Sequence, residues 1–100
     1  MRLIAQSTLV AFAERNPQAS ASLLHWRRLV KDAQWSTIAE VQGAFSKARA
    51  LNGERVRFEI AGGDFRLICA FDFRRSIAFV KFVGTHADYD KVNALTVNLF

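Results

Sequence analysis

Apolar and polar positions alternate most cleanly in the second half of the chain. In "RVRFEI", Val56, Phe58 and Ile60 take one face and Arg55, Arg57 and Glu59 the other, which is the period of a half-buried strand. "FRLICAFDF" repeats the pattern, with Phe65, Leu67, Cys69, Phe71 and Phe73 set against Arg66, Ile68, Ala70 and Asp72. The glycine-rich "AGGD" between them predicts a hairpin, and "RRS" before "IAFVKFV" predicts a second turn, so a three-strand antiparallel meander is expected. Pairing Ile60 with Phe65 puts Arg57, Glu59 and Arg66 on one face, and a two-residue turn at Arg74 and Arg75 adds Lys81 to it, among Ile68 and Phe79. That face is expected to be open and basic, while the other packs on helices.

The first half carries helical spacing. "RLIA" reads as a short strand, Ser7 as the N-cap of a helix with Leu9, Val10, Phe12 and Ala13, and Asn16-Pro17 as its stop. Pro17 opens the next helix, in which Ala19, Leu23, Trp26, Val30 and Ala33 fall on one face that Leu29 widens. Thr37 and Glu40 have capping-box spacing, with Gly43 expected to close a short helix tucked in by Trp35, Ile38, Val41 and Phe45. Residues 47–52 read as irregular and Asn52-Gly53 as a turn. After Gly84, Thr85 predicts the N-cap of a final helix with Asp88 at its third position and Tyr89, Val92, Leu95 and Leu99 along one side. The order is α+β: a small antiparallel sheet made of the N-terminal strand and the meander, N-terminal helices on one face, and a short C-terminal helix.

Composition changes this picture in two respects. A chain of 100 residues that is 51% apolar fills one core, so residues 1–100 are expected to be a single domain. Fourteen Lys and Arg against nine Asp and Glu give a net charge of +5. Most of the cations are arginine, whose rigid fork grips phosphate bidentately, so nucleic acid or an acidic protein is the expected partner. The lone Cys69 can form no internal disulfide and reads as a small buried hydrophobe, which suits a reducing, cytoplasmic setting. No stretch reads as a secretory h-region or membrane span, so no membrane partner is expected.

No P-loop, dinucleotide fingerprint, nucleophile elbow, CxxC or HExxH occurs, which leaves ATP hydrolysis, hydride transfer, serine hydrolysis and zinc chemistry without support. No metal and no cofactor is expected. What remains suits cleavage of an RNA phosphodiester, which needs a base for the 2′-OH, cations for the phosphorane and an acid for the leaving 5′ oxygen. Arg66 and Lys81 are the candidate cations, and His86 is the candidate acid or base because histidine ordinarily titrates nearest neutrality. Tyr89 would relay a proton or stack a base. Arg55, Arg57, Arg74, Arg75 and Lys91 are further cations expected to bind RNA. The same residues allow a plainer reading, in which Thr85, His86 and Tyr89 only begin a capped helix. Arg66 then either pairs with a carboxylate such as Glu59 or faces an anion-binding cleft. His25 has no ligand-type neighbour at helical spacing and is given no role.

"FEIAGGDFRLICAFDF", "FVKFVGTHADYDKV" and the N-terminal "RLIAQSTLVAFAERNPQASASLLHWRRLV" together resemble the HigB-type toxins of the RelE superfamily of bacterial toxin–antitoxin systems. The likeness runs over essentially the entire chain and is most specific in "GGDFRL", "THADYD" and "WSTIAEV". It implies a RelE-like fold and a metal-free endoribonuclease that cleaves mRNA in the ribosomal A site. It also implies inhibition by a cognate HigA-like helix-turn-helix antitoxin, with no small-molecule cofactor. Arg66 in "DFRL", His86 in "VGTH" and Tyr89 match the positions that the resemblance makes active-site residues. Several members carry a lysine on the first hairpin strand where this chain has Arg57 and Glu59. Arg57 stabilises charge but cannot serve as base, so the base is left between His86, Tyr89 and groups of the ribosomal RNA. The alternative expectation is a non-catalytic RNA- or protein-binding module of the same fold.

Overall fold

In chain order the computed structural model, which describes residues 1–99, runs β1 (Arg2–Ile4), α1 (Gln6–Arg15), α2 (Ser20–Asp32), α3 (Ile38–Ala44), β2 (Arg49–Ala50), β3 (Arg55–Ile60), β4 (Phe65–Asp72), β5 (Ile77–Thr85) and α4 (His86–Tyr89). The sheet order is β1-β5-β4-β3-β2. The meander has the expected register, with Ile60 opposite Phe65, Phe58 opposite Leu67 and Val56 opposite Cys69. Those side chains pack against Leu9, Phe12, Leu23, Trp26, Val30 and Val41, so the core lies between the sheet and the N-terminal helices. Each fully buried large side chain contributes about 1.5–3 kcal/mol there. Trp26 meets Phe58 edge to face at 5.3 Å.

The α+β architecture is as expected, but the sheet is mixed. β1 pairs parallel with β5, Arg2 opposite Ile77, and the Met1 nitrogen donates to the carbonyls of Val30, Lys31 and Ala33 beside the end of α2. Arg49 and Ala50, expected to be irregular, form β2 against Arg57 and Val56. Ser7 does not cap α1. The helix starts at Gln6, two residues earlier than that cap implies, after Ala5 turns the chain at a φ of 67°. Leu29 is exposed rather than part of the core face of α2. Thr37 caps α3 as predicted, but Gly43 lies inside that helix and Phe45, in extended conformation, ends it.

Two corrections reach the face turned away from the helices. The β4–β5 turn spans residues 73–76 instead of two residues, and a bulge follows: Cys69 opposes Val80 while Ile68 opposes Phe82, so Lys81 is the extra residue. The bulge brings Gly84 opposite Arg66. The final helix also stops at Tyr89, because the Asn93 side chain accepts from the Leu95 N–H and builds a turn in place of further helix. Leu95 and Leu99 are exposed rather than packed along a helix.

Residues 93–99 instead run back over the sheet as a strap. Arg55 Nη1 donates to Ala94 O at 3.1 Å and Val97 O at 2.7 Å, Lys81 Nζ donates to Asn98 Oδ1, and the Leu99 N–H donates to Lys81 O. Beneath it Ile68 is fully buried and Phe82 nearly so, although neither belongs to the helical core. The second face is therefore open at its ends and covered in its middle.

Candidate active site

Arg66 projects from β4 between Glu59 of β3 and Gly84 of β5. Its Nη1 lies 3.1 Å from Glu59 Oε1 and donates to Gly63 O at 2.8 Å. Only 8% of the residue is exposed. Of the two roles open to it, pairing with a carboxylate is therefore realised. Gly63 makes the pair possible: at φ +100°, a Cβ there would stand 3.1 Å from the guanidinium and 3.3 Å from the carboxylate. Nε is buried without a partner, and Nη2 bonds no described residue.

Arg57, two positions before Glu59, lies on the same face. Its guanidinium carbon stands 5.8 Å from the Tyr89 ring centroid, within cation–π range, and the same ring meets Phe82 edge to face at 6.1 Å. The phenol is thus fixed by the sheet rather than by its own short helix. Arg57 Nε is buried and unpartnered like that of Arg66.

His86 opens α4. The local chain explains its placement: Thr85 Oγ1 accepts from the Asp88 N–H, Asp88 Oδ2 accepts from the Thr85 N–H, and the His86 N–H donates to Asp64 O. The helix start is thereby tied to the β3–β4 turn. Gly84 lets it sit so low, since a Cβ there would be 2.8 Å from Phe82 Cζ and 3.1 Å from Asp88 Cβ. His86 Nδ1 lies 3.2 Å from Asp90 Oδ2, with both side chains more than half exposed. Such a pair adds little stability.

The structure thus gathers Arg57, Arg66, His86 and Tyr89 at one end of the sheet. Lys81 is not among them: it lies three positions along β5 from Gly84, about 10 Å away, with its Nζ 5.4 Å from the Phe79 ring centroid. Arg74 and Arg75 are in the turn at the opposite end, where Arg75 pairs loosely with Asp72. Arg55 is half-buried and bonded to the strap, and Lys91 is exposed just after α4. Asp90 was not singled out in the sequence, although its spacing of four from His86 is a readable signal. Gly63 and the strap left no comparable signal. Among the described residues, no three His, Cys, Asp or Glu side chains gather as a metal-ligand set. Among those same residues, no helix is long and apolar enough to cross a membrane. Cys69 is fully buried, and burial pushes its thiol far above the ordinary range, against a smaller opposing pull from Lys81.

Comparison with known proteins bears on this arrangement. The chain is 27% identical over 97 residues to the mRNA interferase HigB of Escherichia coli O6:H1 (strain CFT073), covering 92% of this chain and 91% of that protein. The sequence model of the HigB toxins, described as the RelE-like toxic component of a toxin–antitoxin system, matches residues 19–92. That span holds β2 to β5 and all four side chains gathered at the sheet end, and on this match the chain belongs to the HigB toxin family.

Proposed function

We propose that this protein is a metal-independent endoribonuclease that cleaves mRNA on the ribosome in the cytoplasm. A HigA-like helix-turn-helix antitoxin restrains it. The observation that carries the reading is that adjacent strands and the start of α4 place Arg57, Arg66, His86 and Tyr89 at one end of a basic sheet face, with Arg57 over the Tyr89 ring. In cleavage the 2′-OH loses its proton and attacks the adjacent phosphorus, and the P–O5′ bond breaks as the departing 5′ oxygen takes a proton, leaving a 2′,3′-cyclic phosphate. Arg57 and the free Nη2 of Arg66 face the phosphorane and offset its added charge. His86 moves the proton, with the Asp90 carboxylate 3.2 Å from its Nδ1. Tyr89, in contact with Arg57 and Phe82, presents its hydroxyl or its ring beside the same phosphate.

Induced expression should arrest growth and shorten mRNA, and both effects should be lost in Arg66→Ala and His86→Ala. Wild-type and variant proteins that behave identically, with mRNA intact, would sink the reading. One observation favours a second function: Arg66 is already neutralised by Glu59, as a purely structural arginine would be. A non-catalytic RNA-binding module would show strongly salt-dependent RNA binding and no cleavage on programmed ribosomes.

A further inference from the structure

At the other end of the same face, a cavity of about 460 Å³ opens beside the β4–β5 turn. Its size falls within the range of small-ligand pockets. Phe79 is half-exposed in it because Ala70, its partner across the strands, has too small a side chain to cover the ring. The Lys81 ammonium, bonded to Asn98 Oδ1, stands over the ring at 5.4 Å from its centroid, where a base would displace it toward the phosphate, and exposed Arg74 stands at the rim. Among the described residues Arg74 and the Glu54 carboxylate have no side-chain partner. The other acid, Asp72, is committed to Arg75, accepting from its N–H at 3.1 Å. A flat apolar platform, two cations and a free carboxylate thus border one space.

We propose that this cavity binds a guanine nucleotide of single-stranded RNA, an inference that rests on the reading that this face meets RNA. An unstacked base lies on an aromatic ring regardless of its identity, and the cations meet its phosphate. The carboxylate supplies the selection. An ionised carboxylate only accepts hydrogen bonds, and guanine alone presents two adjacent N–H donors on its pairing edge. Uracil offers one N–H between two carbonyl oxygens, which the carboxylate repels. Arg66 and Asp72 are six residues apart on β4, about 20 Å, so the base held here belongs to a nucleotide other than the one at the cleaved bond.

The test is calorimetric titration of the full-length protein with GMP, AMP, CMP and UMP, repeated for Phe79→Leu and Glu54→Gln. GMP should bind at least about tenfold tighter than UMP, and Phe79→Leu should weaken it about fivefold or more. Glu54→Gln should bring the four nucleotides close together. Equal binding of the four, no binding, or an unchanged GMP affinity in a folded Phe79→Leu protein overturns the proposal. If Phe79→Leu does not fold, the exposed Glu54→Gln and Arg74→Ala variants decide by the same criteria. Cleavage on programmed ribosomes separates the two readings. Cleavage without GMP binding removes only the guanine site, and GMP binding without cleavage removes only the nuclease.

Discussion

Removing Glu59 tests whether the carboxylate holds Arg66 in place or merely lies beside it. In Glu59→Ala the guanidinium keeps its bond to Gly63 O and loses the counter-charge at 3.1 Å. Breaking a fully buried ion pair costs about 3–5 kcal/mol, and the net worth of a hydrogen bond to a charged group is about 1.5–3 kcal/mol. The Glu59 side chain is 22% exposed against 10% for Arg66, so water reaches the pair. The lower range therefore applies, about 2 kcal/mol, or roughly 10 °C in Tm for a domain of this size. Arg66→Met should cost less, about 1 kcal/mol, because the carboxylate left behind is the better hydrated partner. In Glu59→Ala/Arg66→Met the losses should fall short of their sum by about 1–2 kcal/mol. Urea denaturation followed by circular dichroism on the four proteins measures this coupling directly. Additive losses, with a coupling below about 0.5 kcal/mol, would mean that the pair contributes nothing and that Gly63 alone positions the guanidinium.

Gly84→Ala would drive a methyl group to 2.8 Å from Phe82 Cζ and 3.1 Å from Asp88 Cβ, lifting the start of α4 with His86 and Tyr89. The expected result is a stability loss of about 1–3 kcal/mol together with at least tenfold less mRNA cleavage, and full activity would contradict it. Buried Cys69 keeps its proton in the native state at a pH where the unfolded thiol has lost it. The unfolded chain then binds fewer protons, so this contribution to stability is intact below the ordinary thiol range, about pH 8.5, and falls above it by up to about 1.4 kcal/mol per pH unit. Denaturation of wild type and Cys69→Ala between pH 7 and 10 should show that extra slope in the wild type only. Parallel curves would refute it.

The meander was legible because one face of each strand is buried and the other is not, which fixes register through a period of two. The pairing of Ile60 with Phe65, and with it the shared face of Arg57, Glu59 and Arg66, followed from that alone. β2 was invisible because both of its residues are exposed, leaving nothing to alternate. β1 was recognisable as a strand, but three residues do not say which neighbour they join or in which direction. At the C-terminus the apolar spacing of Val92, Leu95 and Leu99 imitated a helix that the Asn93 turn pre-empts. At the candidate site, the capped turn under His86 was readable from Thr85 and Asp88. Its junction with Arg57 depends on contacts across the fold. Lys81 was misplaced relative to Arg66 because a bulge is a property of the paired strands rather than of either sequence.

The parallel edge pairing sets an order of events. Arg2 meets Ile77 across 77 − 2 = 75 positions, whereas Asp72 meets the same residue across 77 − 72 = 5. Closing the longer loop costs about 2.4 kcal/mol more entropy, so the hairpin forms first and β1 docks last. During translation at about 5–20 residues per second, β1 waits roughly 4–15 s for its partner strand to be made. Every side chain gathered at the sheet end comes from position 57 onward, and the last of them, Tyr89, follows the whole of β5. The four side chains can therefore come together only once β5 and the start of α4 have been synthesised, late in translation and after both N-terminal helices.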